Sequence, residues 1–288
     1  YEEELIILAC LYSHILFLGL SLYNGTLLNL WFLIELSVLI IIPCFFFNYN
    51  FNNHYKSLLY FILISGFSGG LLYSGFLFNI YNSLIISFLA LLVKFCFFPL
   101  GFWIYVILAN SSWLIVWIMT CSSKIVIIPL NFLLVDSYSN QLFDMFFLLT
   151  LLWSSAFFWF GNTNFKLFWC NVSIPSGLVL FYFSNNNYIY INLLFIYYLI
   201  WASLTIYIFN IINLNYSKGY NNFSIMLLLF AFPFTLSFIY KIFIVSGFIN
   251  LNISLFVLFC YIVYSMFEQY YLIKLIFYKF NLNNNLQI

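Results

Sequence analysis

The sequence predicts an all-α polytopic membrane protein, and three observations support this class. Of the 288 residues, 66% are hydrophobic and only 5% are charged, which is more apolar than a soluble domain can bury. The apolar residues fall in runs of about 20, the length that a helix needs to cross a bilayer. The links between the runs are short and rich in Asn, Ser and Tyr. No link is long enough for a soluble domain, so we expect a single membrane domain over residues 1–288.

Ten candidate spans follow one another along the chain. Their approximate bounds are 5–23, 27–47, 58–80, 84–107, 112–134, 142–160, 166–184, 189–212, 223–247 and 252–277. They divide into two sets of five, over about 5–134 and about 142–277. Because each set has an odd number of spans, the two halves are expected to be inverted repeats, as in many transporters.

A proline interrupts the fourth span of each half, Pro99 in the first and Pro233 in the second. Proline removes a backbone hydrogen bond and kinks or breaks a helix. At membrane depth such a break is tolerated where it faces protein or a wet cavity. Broken helices at matching positions therefore indicate a transport site near the repeat interface.

Four ionisable residues lie well inside the spans: Glu35, Lys94, Lys124 and Lys241. A charge at this depth costs several kcal/mol and by default marks an ion or proton pathway. Glu35 and Lys94 both lie roughly 12–15 Å from the starts of spans that run in the same direction. At equal depth they are expected to pair, which lowers the cost of burying either charge. The carboxylate favours the charged ammonium and separation favours the neutral amine, so the pair has the properties of a proton-loading switch.

Lys124 is predicted to be the next station near the midplane, and Lys241 to be the exit-side residue. The alternatives are that a lysine extends to the membrane interface and that Glu35 is only a structural partner. Glu268 is interpreted as an end-of-helix charge, and His14 and His54 as packing or surface residues. Residues 65–70, Ser-Gly-Phe-Ser-Gly-Gly, are expected to form a close helix–helix contact and not a nucleotide loop, because no strand precedes them.

Composition excludes other classes of function. A net charge of +1 with dispersed lysines offers no basic patch for nucleic acid. The six cysteines are scattered and form no C-x-x-C pair, so we expect neither a disulfide framework nor a metal site. The first residues, Tyr-Glu-Glu-Glu, carry no basic stretch, and no signal peptide is expected there. Abundant Phe, Tyr, Ile, Asn and Lys without Arg suggests an A+T-rich coding sequence, such as an organellar genome.

Basic residues near the span ends predict the orientation of the chain. With ten spans, one face carries both termini and the flanking lysines, which are Lys56, Lys166, Lys218 and Lys279. The opposite face has only Asp136 and Asp144 near a link. The basic face is expected to be the cytoplasmic or matrix side.

Four stretches resemble the family of mitochondrial NADH dehydrogenase subunit 2, an antiporter-like membrane subunit of respiratory complex I. Trp31-Phe-Leu-Ile-Glu35, followed by Pro43, resembles the family's glutamate-bearing helix. The stretch from Lys94 to Trp103 resembles its Lys-x-x-x-x-Pro-Phe-His-Phe-Trp element, with Gly101 where His is usual.

The other two stretches lie in the second half of the chain. Residues 164–174, with Gly177, are similar to Arg-Lys-x-Leu-Ala-Tyr-Ser-Ser-Ile, and residues 233–241 are similar to Pro-Pro-Leu-x-Gly-Phe-x-x-Lys. The likeness covers most of the chain, and the lysine-to-proline spacings are its most specific part. Fuller members have fourteen helices, so this chain resembles a shortened form that lacks about three at its N-terminus and one at its C-terminus. The missing helices are either supplied by a separate chain or replaced by lipid.

The resemblance implies a proton-pumping module of complex I in the mitochondrial inner membrane, with both termini on the matrix side. Its proton-relay residues match Glu35, Lys94, Lys124 and Lys241. It implies other membrane subunits of complex I and lipids as partners, and no nucleic acid. It also implies no cofactor bound by this chain: NADH, flavin, iron–sulfur clusters and ubiquinone would act elsewhere in the complex. The chain would therefore be an enzyme only as a subunit of the H⁺-translocating NADH:ubiquinone reductase.

Three alternatives stay open at this point. The nearest is another antiporter-like subunit of the same complex, against which weigh the short length and Lys241 in the ninth span. The second is a free-standing cation/proton antiporter. The third is a structural subunit with static lysines.

Overall fold

A computed structural model describes residues 2–23, 26–46, 51–77, 81–134, 140–160, 164–186, 188–214, 229–251 and 253–285. Those residues form helices and turns and contain no strand. The helices are α1 (Glu2–Ser21), α2 (Leu27–Ile41), α3 (Phe51–Leu77), α4 (Tyr81–Lys94), α5 (Phe102–Asn110), α6 (Trp113–Thr120), α7 (Ile127–Leu134), α8 (Asn140–Phe160), α9 (Phe165–Asn185), α10 (Ile191–Leu214), α11 (Leu236–Asn250) and α12 (Leu255–Asn285). Two 3₁₀ segments, Ile42–Phe45 and Ser122–Val126, adjoin α2 and α7.

Seven helical segments in the described part of the chain are long and apolar enough to cross a bilayer. They are Glu4–Ser21, Leu27–Phe45, Tyr55–Leu77, Trp113–Leu130, Phe165–Asn185, Ile191–Asn213 and Leu255–Lys274. Three shorter apolar helices are Ile85–Lys94, Phe143–Trp159 and Leu236–Asn250. Each of the ten predicted spans therefore overlaps an apolar helix, and the described part of the chain is that of a helical polytopic membrane protein. The inverted relation of the two halves stays a prediction.

The chain separates into two compact units, Tyr1–Phe143 and Asp144–Ile288. The border lies beside the predicted border between the two sets of five spans.

In the first unit, α1 packs on α2, and α3 packs on α4 and α5. The small residues of α3 allow this closeness: a methyl group on Gly75 would lie 3.0 Å from the backbone nitrogen of Ser87 on α4. One buried cluster contains Ile41, Phe45, Leu58, Phe61, Ile107, Ile115 and Ile118. The close helix contact predicted for residues 65–70 is confirmed at Gly69, whose neighbour is described below.

In the second unit, α9 is the central helix. Its span Phe165–Asn185 is 89% buried, and aromatic rings cover it, as in the contact between Trp169 and Trp201 of α10. Gly247 brings α11 close to the ring of Phe183, because a methyl group there would lie 2.7 Å from that ring. Such close-packed surroundings leave little room for an uncompensated charge.

Lys56 and Lys274 are exposed, as expected for lysines near span ends. Several residues used to predict orientation cannot be placed: Lys218 and Asp136 lie outside the described residues, and nothing is described of the side chain of Lys279. The orientation of the chain therefore stays a prediction.

Candidate functional site

Helix α2 places Glu35 at the edge of a buried stripe. Leu30, Ile34, Ser37 and Ile41 form the stripe at the spacing of one helix face. Glu35 follows Ile34, so its side chain emerges beside the stripe and is 21% exposed.

The Glu35 carboxylate packs against the backbone of α3 at Gly69. A methyl group on Gly69 would lie 2.5 Å from Oε1 of Glu35. One turn earlier on α2, Nε1 of Trp31 donates a hydrogen bond of 3.0 Å to the carbonyl of Gly69. The hydrogen bond from Trp31 holds α2 and α3 together at the level of the Glu35 carboxylate. Only glycine at position 69 leaves room for the carboxylate in its present position.

Gly69→Ala is expected to fold but to move the Glu35 carboxylate, because the clash involves the end of a flexible side chain. Displacing an ion-pair partner weakens the pair steeply at partly buried sites. If Glu35 and Lys94 carry protons, the rate of proton pumping should fall several-fold. The measurement compares the initial pumping rate at equal subunit abundance.

Gly70→Ala is the matched control, since nothing lies within 4 Å of a methyl group at Gly70. It makes the same substitution in the same helix and should leave pumping unchanged. Equal pumping in both variants would contradict the importance of the Gly69 contact.

The backbone leaves the helical path directly after Lys94. Because Pro99 disfavours a helical conformation for Phe98, α4 must end before it. It does so with the amide of Phe97 bonded to the carbonyl of Leu92 at 2.9 Å and with Cys96 in the left-handed region, φ 63°. This hydrogen-bond pattern is a Schellman-type ending, which usually has glycine at the left-handed position. The predicted helix break at Pro99 is confirmed, and α5 begins at Phe102.

Lys94 is the last residue of α4, and its Nζ lies 3.1 Å from Oε1 of Glu35. The predicted pairing of the two residues is confirmed. Their side chains are 14% and 21% exposed, so both charges are largely removed from the surface. A cation in the last turn also interacts favourably with the carbonyl end of the helix.

Lys124 lies in a second interruption, which the sequence analysis did not predict. Span 112–134 was expected to be one helix, but α6 ends at Thr120 and Lys124 lies in the 3₁₀ segment Ser122–Val126. Side chains of this stretch bond backwards to carbonyls of α6: Thr120 to Val116 at 2.7 Å and Ser122 to Ile118 at 2.8 Å. Such bonds compete with the helical ladder and bend helices. Lys124 is 7% exposed, and it therefore does not extend to a surface of the described protein.

His14 links this segment to the helix of Glu35. Its Nδ1 lies 3.0 Å from the carbonyl of Ser37 on α2, and its Nε2 lies 3.0 Å from Oγ of Ser122. The carbonyl can only accept, so Nδ1 donates to it. The imidazole is 2% exposed. The sequence analysis interpreted His14 as a packing or surface residue. His14 is buried, but it also forms a polar bridge between α2 and the Lys124 segment, which was not predicted.

In the second unit the chain is irregular over residues 231–235, and α11 begins at Leu236. This location agrees with the predicted break at Pro233, although the residues from 215 to 228 lie outside the described ones. Phe234 has a φ of 70°, and Oγ1 of Thr235 accepts the amide of Phe238 at 3.3 Å as an N-cap. Because α11 begins directly after the break, Lys241 lies on the second turn of a capped helix.

Helix α12 supplies two neighbouring side chains to this region. Gln269 accepts from the amide of Ala231 and donates to the carbonyl of Leu229, both at 3.2 Å, which satisfies backbone groups that the break leaves free. Oε2 of Glu268 lies 3.2 Å from Nζ of Lys241. Glu268 is 3% exposed, so its interpretation as an end-of-helix charge was wrong.

Each unit holds an ion pair between two described residues, Glu35–Lys94 in the first and Lys241–Glu268 in the second. Both join a lysine beside an interrupted helix to a glutamate on a continuous neighbouring helix. The Glu35–Lys94 pair was predicted from the equal depth of the two residues in their spans. His14, Glu268 and Gln269 were missed because residue counting does not show which helices face each other, and the only available signal was a polar residue inside an apolar run.

A scan against protein-family models and a search of curated proteins found no match to this chain. The geometry of its buried charges therefore carries the functional conclusion.

Proposed function

We propose that this chain is an antiporter-like, proton-translocating subunit of respiratory complex I in the mitochondrial inner membrane. The observation that carries the proposal is the Glu35–Lys94 pair, 3.1 Å long, at the end of a helix broken before Pro99. If the pair only stabilised the fold, apolar side chains of similar volume would do so without the free-energy cost of removing two charges from water. Buried ionisable groups beside broken helices are the usual elements of proton pathways.

The proposed chemistry is a relay of proton transfers. Glu35 stabilises the ammonium form of Lys94 when the pair is closed, and its withdrawal favours release of the proton from Nζ. Lys124 accepts and passes on protons within the first unit, and Lys241 does so within the second. Each step moves a proton between an amine and a neighbouring base and changes no oxidation state.

The two halves are proposed to be inverted repeats, which explains why each carries one helix interrupted at a proline and one lysine–glutamate pair. Energy would come from NADH oxidation by ubiquinone elsewhere in the complex. The other membrane subunits of complex I, and a further chain or lipid in place of the family's missing helices, would surround this one.

Native purification from mitochondrial membranes tests the proposal. The chain should be found by mass spectrometry in a very large membrane assembly that oxidises NADH, and inhibiting ubiquinone reduction should stop proton pumping. An integral membrane protein of another respiratory complex serves as the control for non-specific co-migration. Recovery as an isolated monomer that exchanges cations for protons without NADH would contradict the proposal and favour a free-standing antiporter.

A further inference from the structure

A small cavity lies beside the ion pair of the second unit. Its volume is about 20 Å³, and its walls include Ser176 of α9, Tyr240 and Lys241 of α11, and Tyr264 and Glu268 of α12. A cavity of roughly 10–15 Å³ or more can hold one water molecule if two to four polar groups reach it. This cavity is therefore large enough for a single water.

Three buried polar atoms in its lining residues have no hydrogen-bond partner among the described residues: Oη of Tyr240, Nζ of Lys241 and Oε1 of Glu268. Nζ lies 3.2 Å from Oε2 of Glu268, but the two groups are oriented outside hydrogen-bonding geometry. Tyr240 and Glu268 are 4% and 3% exposed. Buried polar groups are rarely left without partners, so these three atoms indicate a shared ligand.

The charges of the residues that line the cavity indicate which ligand it can bind. The ammonium of Lys241 repels a metal cation, and the carboxylate of Glu268 repels an anion. A neutral water can accept from Nζ, donate to Oε1 and exchange a hydrogen bond with Oη, which is about the number of bonds that buried waters make.

Two other polar wall residues, Ser176 and Tyr264, already donate hydrogen bonds to backbone carbonyls. Pro175 has no amide hydrogen, so the carbonyl of Asn171 loses its helical donor. Oη of Tyr264 donates to that carbonyl at 3.3 Å. The hydroxyl of Tyr264 is therefore engaged by this carbonyl, whereas the hydroxyl of Tyr240 has no hydrogen-bond partner among the described residues.

We propose that Tyr240, Lys241 and Glu268 bind one water molecule and that Glu268 exchanges a proton with Lys241 through it. An N–H bond of the ammonium breaks as an O–H bond forms on the water, and one of the water's own O–H bonds breaks as its proton passes to Oε1 of Glu268. The amine keeps the electron pair and the net charge of the site is unchanged. The water site stands on the geometry alone, whereas its part in proton transport rests on the proposed function.

A density map of the full chain in its native membrane assembly tests the water site. We expect an ordered water within hydrogen-bonding distance of Oη of Tyr240, Nζ of Lys241 and Oε1 of Glu268. The map must resolve waters at other buried polar sites of the same membrane region. A map that does so, but shows the cavity collapsed or filled by a side chain, overturns the proposal.

Glu268→Gln and Tyr240→Phe test the transfer, with Tyr270→Phe as the matched control, because Tyr270 lies on α12 outside the cavity and is 61% exposed. The general acid–base contribution of a positioned group predicts a fall of at least about tenfold in the initial pumping rate of Glu268→Gln. Tyr240→Phe removes a hydroxyl that has no hydrogen-bond partner among the described residues, so it should fold normally and pump several-fold more slowly. Tyr270→Phe should pump at the wild-type rate.

The double variant Lys241→Met with Glu268→Gln guards against misfolding, because it leaves no orphaned charge. It should assemble normally and pump as poorly as Glu268→Gln. Wild-type pumping in Glu268→Gln or in the double variant would overturn the transfer step. A wild-type assembly that holds the water but shows no NADH-driven pumping would instead overturn the proposed function and support the water site.

Discussion

Proton pumping is expected to fall to background in Glu35→Ala, the variant for which we expect the largest effect. The substitution leaves the ammonium of Lys94 without the carboxylate that lies 3.1 Å away. Removing one partner of a buried pair usually costs 3–5 kcal/mol. Because the two side chains retain 14% and 21% exposure, we expect about 2–3 kcal/mol for the loss in the free energy of unfolding. Thermal unfolding in detergent and NADH-driven pumping in vesicles measure the two effects.

The double variant Glu35→Gln with Lys94→Met separates stability from transport. With both charges gone, no ion is buried alone, so the free energy of unfolding should return close to the wild-type value. Pumping should stay at background, because neither group can bind and release a proton. Recovery of pumping with recovery of stability would show that the pair is only structural.

Lys124→Ala is expected to impair proton pumping strongly while the subunit still assembles. Lys124 is 7% exposed and lies in the 3₁₀ segment Ser122–Val126, outside any regular helix. Truncating the side chain to a methyl group removes a buried amine and leaves the backbone hydrogen bonds of the segment in place. A fall of at least about tenfold in the initial pumping rate matches the contribution of a proton-transfer group.

Lys56→Ala is the matched control for Lys124→Ala. It removes a lysine from the same unit, but that lysine is exposed, and exposed charges contribute little to stability or transport in the membrane interior. Pumping and assembly should be unchanged. Full pumping in Lys124→Ala would refute its relay role, and loss in both variants would assign the effect to surface charge.

The interruption around Lys124 shows that proline is not needed to break a helix in this chain. Pro99 and Pro233 act by removing a donor and by restricting the residue before them. At Lys124 the same result comes from hydroxyl groups: Thr120 and Ser122 bond back to the carbonyls of α6. Each of the three interruptions lies at a lysine or within two helical turns of one.

Part of this architecture follows from the sequence alone. The length and apolarity of the runs require helices that cross a bilayer, because no other backbone conformation satisfies its own hydrogen bonds there. The prolines determine two of the interruptions. The equal depth of Glu35 and Lys94, which lets them pair, also follows from the sequence, since a helix rises by a constant 1.5 Å per residue and depth can be counted.

Only the tertiary structure decided which residues surround the charges. Counting residues gives depth along a helix, but it does not give the rotation of the helix or its neighbour. The bond between His14 and Ser122 joins positions 108 residues apart, and the pair of Lys241 with Glu268 depends on how α11 and α12 face each other. The need for glycine at position 69 arises from the carboxylate of another helix. These contacts are set by the side-chain packing between helices, which is specified jointly by many distant residues and has no local sequence signal.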